Sequence, residues 1–143
     1  ELFDRLSLMG GELILDTLSG LEKGEITPIK QDESLATHTS KIDKSLCPID
    51  FTKSAFEVHN KIRGLNPWPI ATTEINGKKI KVHSSLLCEK SGKAGTVIST
   101  KPLIVACGEK SVELCEIQPE GKKKMTAEAF LAGHRLSVGD VIG

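Results

Sequence analysis

The sequence predicts a mainly β fold, a small barrel of roughly five or six short strands with flanking helices, preceded by a separate amphipathic helix. Three observations carry this expectation. Residues 70–118 contain short aliphatic and β-branched runs divided by turn signals. A helical pattern with its own start signal stands on each side of that stretch. Residues 1–22 repeat with helical period, and a polar segment punctuated by proline separates them from the rest.

The first element rests on Leu2, Leu6, Met9 and Leu13, which step by four, three and four, with Ile14, Leu18 and Leu21 continuing a neighbouring stripe. Gly10-Gly11 costs about 1 kcal/mol per glycine against alanine in a helix, so a close backbone approach or a break is expected there. The apolar face calls for a large partner that the rest of the chain does not supply. Gly24 ends the helix, and residues 25–48, with Pro28, Pro48 and the polar run Gln31–Ser34, read as a linker. The domain boundaries expected are thus 1–24, 25–48 and 49–143.

A helix is expected over 50–64, with Thr52 as N-cap, a staple between Phe51 and Phe56, and Ala55, Val58, His59 and Ile62 on one face. Gly64 stands where a terminating glycine belongs. Asn66-Pro67-Trp68-Pro69 forms a rigid turn, and Trp68 is expected to plug the core or a domain interface. Ile75-Asn76-Gly77-Lys78 is a type I′ hairpin signal. Ile80, Val82 and Leu86 alternate after it. Thr96–Ser99, Leu103–Cys107 and Ser111–Ile117 read as further strands, with Gly108-Glu109-Lys110 as a turn. Thr126–Leu131 reads as a short helix closed by Gly133, with Met125 and Phe130 repeating the staple pattern.

Composition excludes several classes. Of 143 residues, 27% are charged and 38% hydrophobic, ordinary for a globular chain, and no apolar run is long enough to span a bilayer. The start at Glu1 lacks Met and any secretion signal, so the sequence is expected to begin inside a longer chain. The zero net charge hides a split: residues 1–50 hold 5 basic and 10 acidic groups, residues 51–143 hold 14 and 9. The positive half points to an anionic partner, nucleic acid first. Cys47, Cys88, Cys107 and Cys115 form no CxxC pair, so no metal site is expected and reduced thiols in the cytoplasm are. Cys107 and Cys115 lie in apolar runs and are expected to act as core residues.

Several segments together resemble one family. Ile49-Asp50-Phe51, Ser54-Ala55, Ile62-Arg63-Gly64, Asn66-Pro67-Trp68-Pro69, Gly121–Leu131 and Gly133 are similar to the C-terminal part of methionyl-tRNA formyltransferases. Met9–Leu18, Leu35-Ala36-Thr37 and Lys41-Ile42 resemble the last helix of that family's catalytic domain and the linker after it. The resemblance implies an OB-like barrel domain over 49–143, preceded by a helix remnant of a Rossmann-like domain. It implies a parent enzyme roughly twice this length that moves a formyl group from 10-formyltetrahydrofolate to the amino group of initiator Met-tRNA. The catalytic Asn, His and Asp would lie in an N-terminal domain upstream of this chain. No catalytic residue is therefore expected here, and no cofactor or membrane contact. His83-Ser84-Ser85-Leu86-Leu87 is similar to the family's catalytic His motif, but Cys88 replaces its proline and the segment follows a hairpin turn, so His83 is expected in a strand. An amino-sugar formyltransferase, a formyltetrahydrofolate dehydrogenase and a stand-alone interaction module are the alternatives.

The lysines carry the positive case for tRNA. Lys78, Lys79 and Lys81 flank the hairpin, Lys122, Lys123 and Lys124 precede the last helix, Lys41 and Lys44 lie in the linker, Arg63 ends a helix, and Arg135 follows the last one beside His134. Such groups suit sequence-independent phosphate contacts on a folded RNA. No Phe, Tyr or Trp lies between Trp68 and Phe130, so the barrel has nothing on which to stack bases. It is expected to grip a folded, helical part of tRNA by shape and charge.

Overall fold

A computed structural model describes residues 2–143. It divides into two compact units, residues 1–40 and residues 41–143. The first is built on helix α1 (Leu2–Glu22), which runs through Gly10-Gly11 without a break. Space at both glycines is open rather than occupied by another backbone. The helix ends as expected, with Gly24 in the left-handed region and its N–H on the Leu21 carbonyl. Ile26 folds back onto Gly20, where a Cβ would collide with its side chain. Leu2, Leu6, Met9, Leu13 and Leu18 are exposed along the helix.

The second unit is a six-stranded antiparallel sheet with two helices. Its strands are β1 (Ala71–Ile75), β2 (Lys78–Cys88), β3 (Val97–Thr100), β4 (Leu103–Ala106), β5 (Ser111–Pro119) and β6 (Met125–Thr126). The order is β1-β2-β5-β4-β3, with β6 paired to β5. Asn76 and Gly77, both at positive φ, make the expected hairpin turn between β1 and β2. Central β5 is paired along its length with β2 on one edge. On its other edge β4 takes Ser111–Glu113 and β6 takes Glu116 and Ile117. Val112, Leu114 and Ile117 of β5 lie in the core with Ile80, Val82, Val97 and Val105.

The expected barrel is corrected in one respect: the sheet is not closed. Strands β3 and β4 are four residues each, and β1 and β3 remain edges. Short segments cover them instead of strand pairing. Ile49 and Cys47 exchange backbone bonds with Thr72 of β1. The tail bonds to Gly95 and Val97 through Gly139, Asp140 and Ile142, and Gly143 N–H reaches the Glu74 carbonyl. Ile142 is buried, so the tail fills the open side as well as capping it.

Helix α2 (Ala55–Gly64) lays Ala55, Val58 and Ile62 on the sheet. Its N-cap is Ser54, not Thr52. Ser54 Oγ accepts from Glu57 N–H, and the Glu57 carboxylate accepts from Ser54 N–H. Thr52 is engaged elsewhere, donating its N–H and hydroxyl to the Asp50 carboxylate. The Phe51–Phe56 staple does not form, because Phe51 enters the core while Phe56 is exposed. Trp68 is no core plug either: it is exposed, and Leu65 is buried in its stead while Ile70 N–H closes the loop onto the Leu65 carbonyl. Helix α3 (Ala127–Gly133) is capped by Thr126, and Phe130 is buried with Met125 packed beside the core.

The expected alternation of β2 holds for Ile80 and Val82 and then inverts. Register irregularities flank Ser84 on β2 and are matched on β5, where Ser84 faces Glu116 and Ser85 faces Leu114. Both strands change face together, so Ser85 turns inward and Leu86 outward. Cys107 is buried and its thiol is pushed up to about 11 by burial. Cys115 is half-buried rather than core, its thiol raised to about 11 by burial first and then by Glu113.

The start of α2 is locked to the β4–β5 turn by Gly108. Gly108 N–H bonds the Lys53 carbonyl, and Ala55 N–H bonds that of Glu109. A Cβ on Gly108 would collide with the Thr52 carbonyl oxygen, a backbone atom with little room to yield. Gly108→Ala is expected to destabilise the second unit by about 2–3 kcal/mol, read by urea denaturation. Wild-type stability would show that the two backbones separate at little cost.

Candidate nucleic-acid interface

The β2–β5 register brings lysines far apart in sequence to the same end of the sheet. Lys79 and Lys81 alternate with buried Ile80 and Val82 and therefore point away from the core. Lys78 stands opposite Ile75 at the hairpin end, and Lys79 opposite Glu74. Across the next pair, Ile80 faces Pro119 and Lys81 faces Gln118. The residues after Pro119 turn back at once into β6 on the other edge of β5, so Lys122, Lys123 and Lys124 lie across β5 from the strand that carries Lys79 and Lys81. All of these lysines are exposed.

The turn holding the triple lysine is ordered by its backbone. Lys122 N–H donates to the Pro119 carbonyl at 3.0 Å, and Gly121 takes φ +70°. A positive φ at the third residue marks a type II turn, which glycine satisfies without strain. Gln118 Nε2 then donates to the Lys122 carbonyl at 2.9 Å. Lys122 and Lys123 project from this fixed frame.

Lys124 is not equivalent to them. Its ammonium pairs with Glu116 Oε2 at 2.8 Å, where Ser84 Oγ also approaches at 3.4 Å. The Lys124 hydrogen bond is the main reason the Glu116 carboxyl is held below its ordinary 4.5. Among the described residues, the run of three thus provides two cations without an ion pair and one that is largely neutralised.

The remaining site residues are more dispersed. The Arg135 backbone carbonyl accepts from Asn76 Nδ2 at 3.0 Å, which brings Arg135 to the hairpin tip. Arg63 ends α2, its Nε donating to Asn60 Oδ1 at 2.8 Å. Lys41 opens the second unit, and Lys44 lies in a short 3-10 turn capped by Asp43. The pairings that assemble the hairpin and the turn do not involve Lys41, Lys44 or Arg63.

His59, His83 and His134 have structural partners. His83 lies in β2 as expected, with Nε2 at 3.0 Å from Gln118 Oε1. His59 Nδ1 meets Ser85 Oγ at 2.9 Å. His134 stacks on Phe130 at 4.1 Å and its Nδ1 lies 2.9 Å from the Phe130 carbonyl oxygen. Among the described residues no group of His, Cys, Asp and Glu is arranged to hold a metal ion. Gln118 and Asn76 are participants that charge counting overlooks. The only sequence signal for Gln118 is a polar residue at the end of a strand beside a glycine turn.

Residues 41–135 match the family model "Formyl transferase, C-terminal domain". The chain belongs to this family. The match begins at Lys41, where the second unit begins. The chain is 44% identical to the methionyl-tRNA formyltransferase of Clostridium novyi, over 99% of this chain and 47% of that one. It is 42% identical to the methionyl-tRNA formyltransferase of Lachnospira eligens, over 100% and 48%. The chain thus spans about half the length of these curated relatives. HypX of Aquifex aeolicus shares the fold, with a TM-score of 0.61 at 19% identity over 88% of this chain and 24% of that one. In this formyl transferase C-terminal domain, therefore, lysines are grouped by a register that the fold itself sets.

The ion pair gives a direct test. Lys124→Ala removes the chief cause of the lowered Glu116 pKa, so that pKa is expected to rise in a carboxyl NMR titration. The sign follows from linkage: a depressed folded pKa adds stability above the unfolded value, and this is lost as pH falls through the folded one. An unmoved Glu116 pKa in the variant would show that the pair does not persist in solution.

Proposed function

We propose that this chain is the tRNA-holding C-terminal part of a methionyl-tRNA formyltransferase. The parent enzyme would transfer the formyl group of 10-formyltetrahydrofolate to the methionyl amine of initiator Met-tRNA in the cytoplasm. The amine attacks the formyl carbon, the bond from that carbon to folate nitrogen breaks, and the amine loses a proton. The Asn, His and Asp serving that step would belong to an N-terminal catalytic domain, which would also cover the exposed apolar stripe of α1. A solved structure of HypX, similar in fold at a TM-score of 0.59, is described as a complex with tetrahydrofolic acid, in keeping with a folate co-substrate for the parent.

The observation that carries the proposal is that Lys79 and Lys81 on the outer face of β2, Lys78 at its hairpin end, and Lys122 and Lys123 in the β5–β6 turn gather at one end of the sheet. Flexible ammonium groups on a rigid sheet suit a phosphate backbone, whose charge pattern is fixed while its sequence varies. The strands and the turn that carry these lysines hold no Phe, Tyr or Trp, and Phe130 is buried, while the exposed Phe56 and Trp68 lie on α2 and the loop after it. That favours a helical segment of tRNA over an unpaired strand. Such a patch also favours a polyanion over an amino sugar. Arg135 would extend the interface at the hairpin tip, with Lys41, Lys44 and Arg63 as outlying contacts.

Binding of methionine tRNA to the chain is expected to weaken with salt at a slope of about −3 to −4 in log–log form, for three to five phosphate contacts. Lys122→Ala with Lys123→Ala should flatten the slope by about two, whereas Lys124→Ala alone should move it little. A titration over a range of salt concentrations measures all three. Unchanged binding and slope in the double variant, with the fold intact, would make this run an ordinary solvated surface.

A further inference from the structure

The hydrogen bonds around Gln118 form a continuous link from β2 to the basic turn. Its Nε2 donates to the Lys122 carbonyl, which turns Oε1 toward His83. His83 Nε2 must then carry the proton, because an amide oxygen only accepts. His83 reaches Gln118 because it sits at the β2 irregularity between Val82 and Ser84, where a bulge re-aims the side chain. Lys122 is held at both of its backbone groups, its N–H by Pro119 and its carbonyl by Gln118, while its ammonium is left exposed.

We propose that Gln118 is a positioning residue for RNA binding, with His83 as its anchor, a role that rests on the tRNA-holding function above. It touches no phosphate. It keeps the Glu120–Lys124 turn ordered in the free protein, so that Lys122 and Lys123 are held across β5 from Lys79 and Lys81 before the RNA arrives. Without it the same charges are present on a looser turn. Ordering that turn then becomes part of the binding step and weakens affinity, while the number of phosphates neutralised stays the same.

This separates positioning from charge in a single experiment. Gln118→Met keeps the length of the side chain and removes both hydrogen bonds. Methionine tRNA transcript is titrated against the full 143-residue chain, as wild type and variants, at several salt concentrations. Gln118→Met is expected to bind about three- to tenfold more weakly at every salt concentration, with the wild-type slope. His83→Phe should lose less in the same direction, and the His83→Phe/Gln118→Met pair should be no weaker than Gln118→Met alone. Amide exchange at residues 120–124 should quicken in Gln118→Met while the core of the sheet stays protected. If Gln118→Met binds as wild type while Lys122→Ala with Lys123→Ala flattens the slope, the positioning role is overturned and the tRNA reading stands. If wild type shows no salt-dependent binding, both are overturned.

Discussion

The β2–β5 pairing is the constraint on which the second unit depends. Strands β1, β4 and β6 are attached directly to one of these two and β3 through β4, and β5 alone divides an edge between β4 and β6. The same register that buries Val82 against Ile117 sets Lys81 opposite Gln118. Core and basic face are therefore two sides of one pairing. A slip by one residue would turn every side chain of β2 to the other face, burying lysines and exposing isoleucine. Selection for a dry core thereby also keeps the lysines on the surface.

Features governed by local chemistry were legible in the sequence. Asn76-Gly77 demanded a particular turn because two successive residues needed positive φ, and the strands on either side followed from it. The short helix marked out by Met125, Phe130 and Gly133 formed as α3, with Thr126 as its cap. Features governed by competition between neighbours were not. Thr52 and Ser54 both suit an N-cap, and the outcome was decided by Asp50 engaging Thr52 and Glu57 completing a box with Ser54. The change of face near His83 requires matched irregularities in two strands distant in sequence, so alternation read along β2 alone went astray at Leu86. The open sheet has a similar origin. Closure would depend on how β1 and β3 meet, and short segments near residues 47–49 and 139–143 cover those edges instead.

The basic face shows the same division. Which lysines are exposed could be read from charge and period, but their status could not. Lys124 resembles Lys122 and Lys123 in sequence, yet its ammonium belongs to Glu116, eight residues earlier on β5. Gln118 has no charge to attract notice and acts through a backbone carbonyl. The proposed interface combines three kinds of residue: cations without an ion pair among the described residues, a cation held by an ion pair, and neutral groups that hold the backbone. Charge patterning detects the first and confuses it with the second.

The central claim is that the hairpin and the β5–β6 turn form one RNA-facing surface. It is tested most directly by NMR of the isotopically labelled chain titrated with methionine tRNA. Perturbed amides are expected to cluster at residues 76–81, at 118–124 and around Arg135, with smaller shifts near Lys41, Lys44 and Arg63 and with the start of α2 and the Thr100–Leu103 region largely unmoved. Perturbations centred on the β3–β4 turn at Thr100–Leu103 and on α3, or spread evenly over the surface, would contradict it.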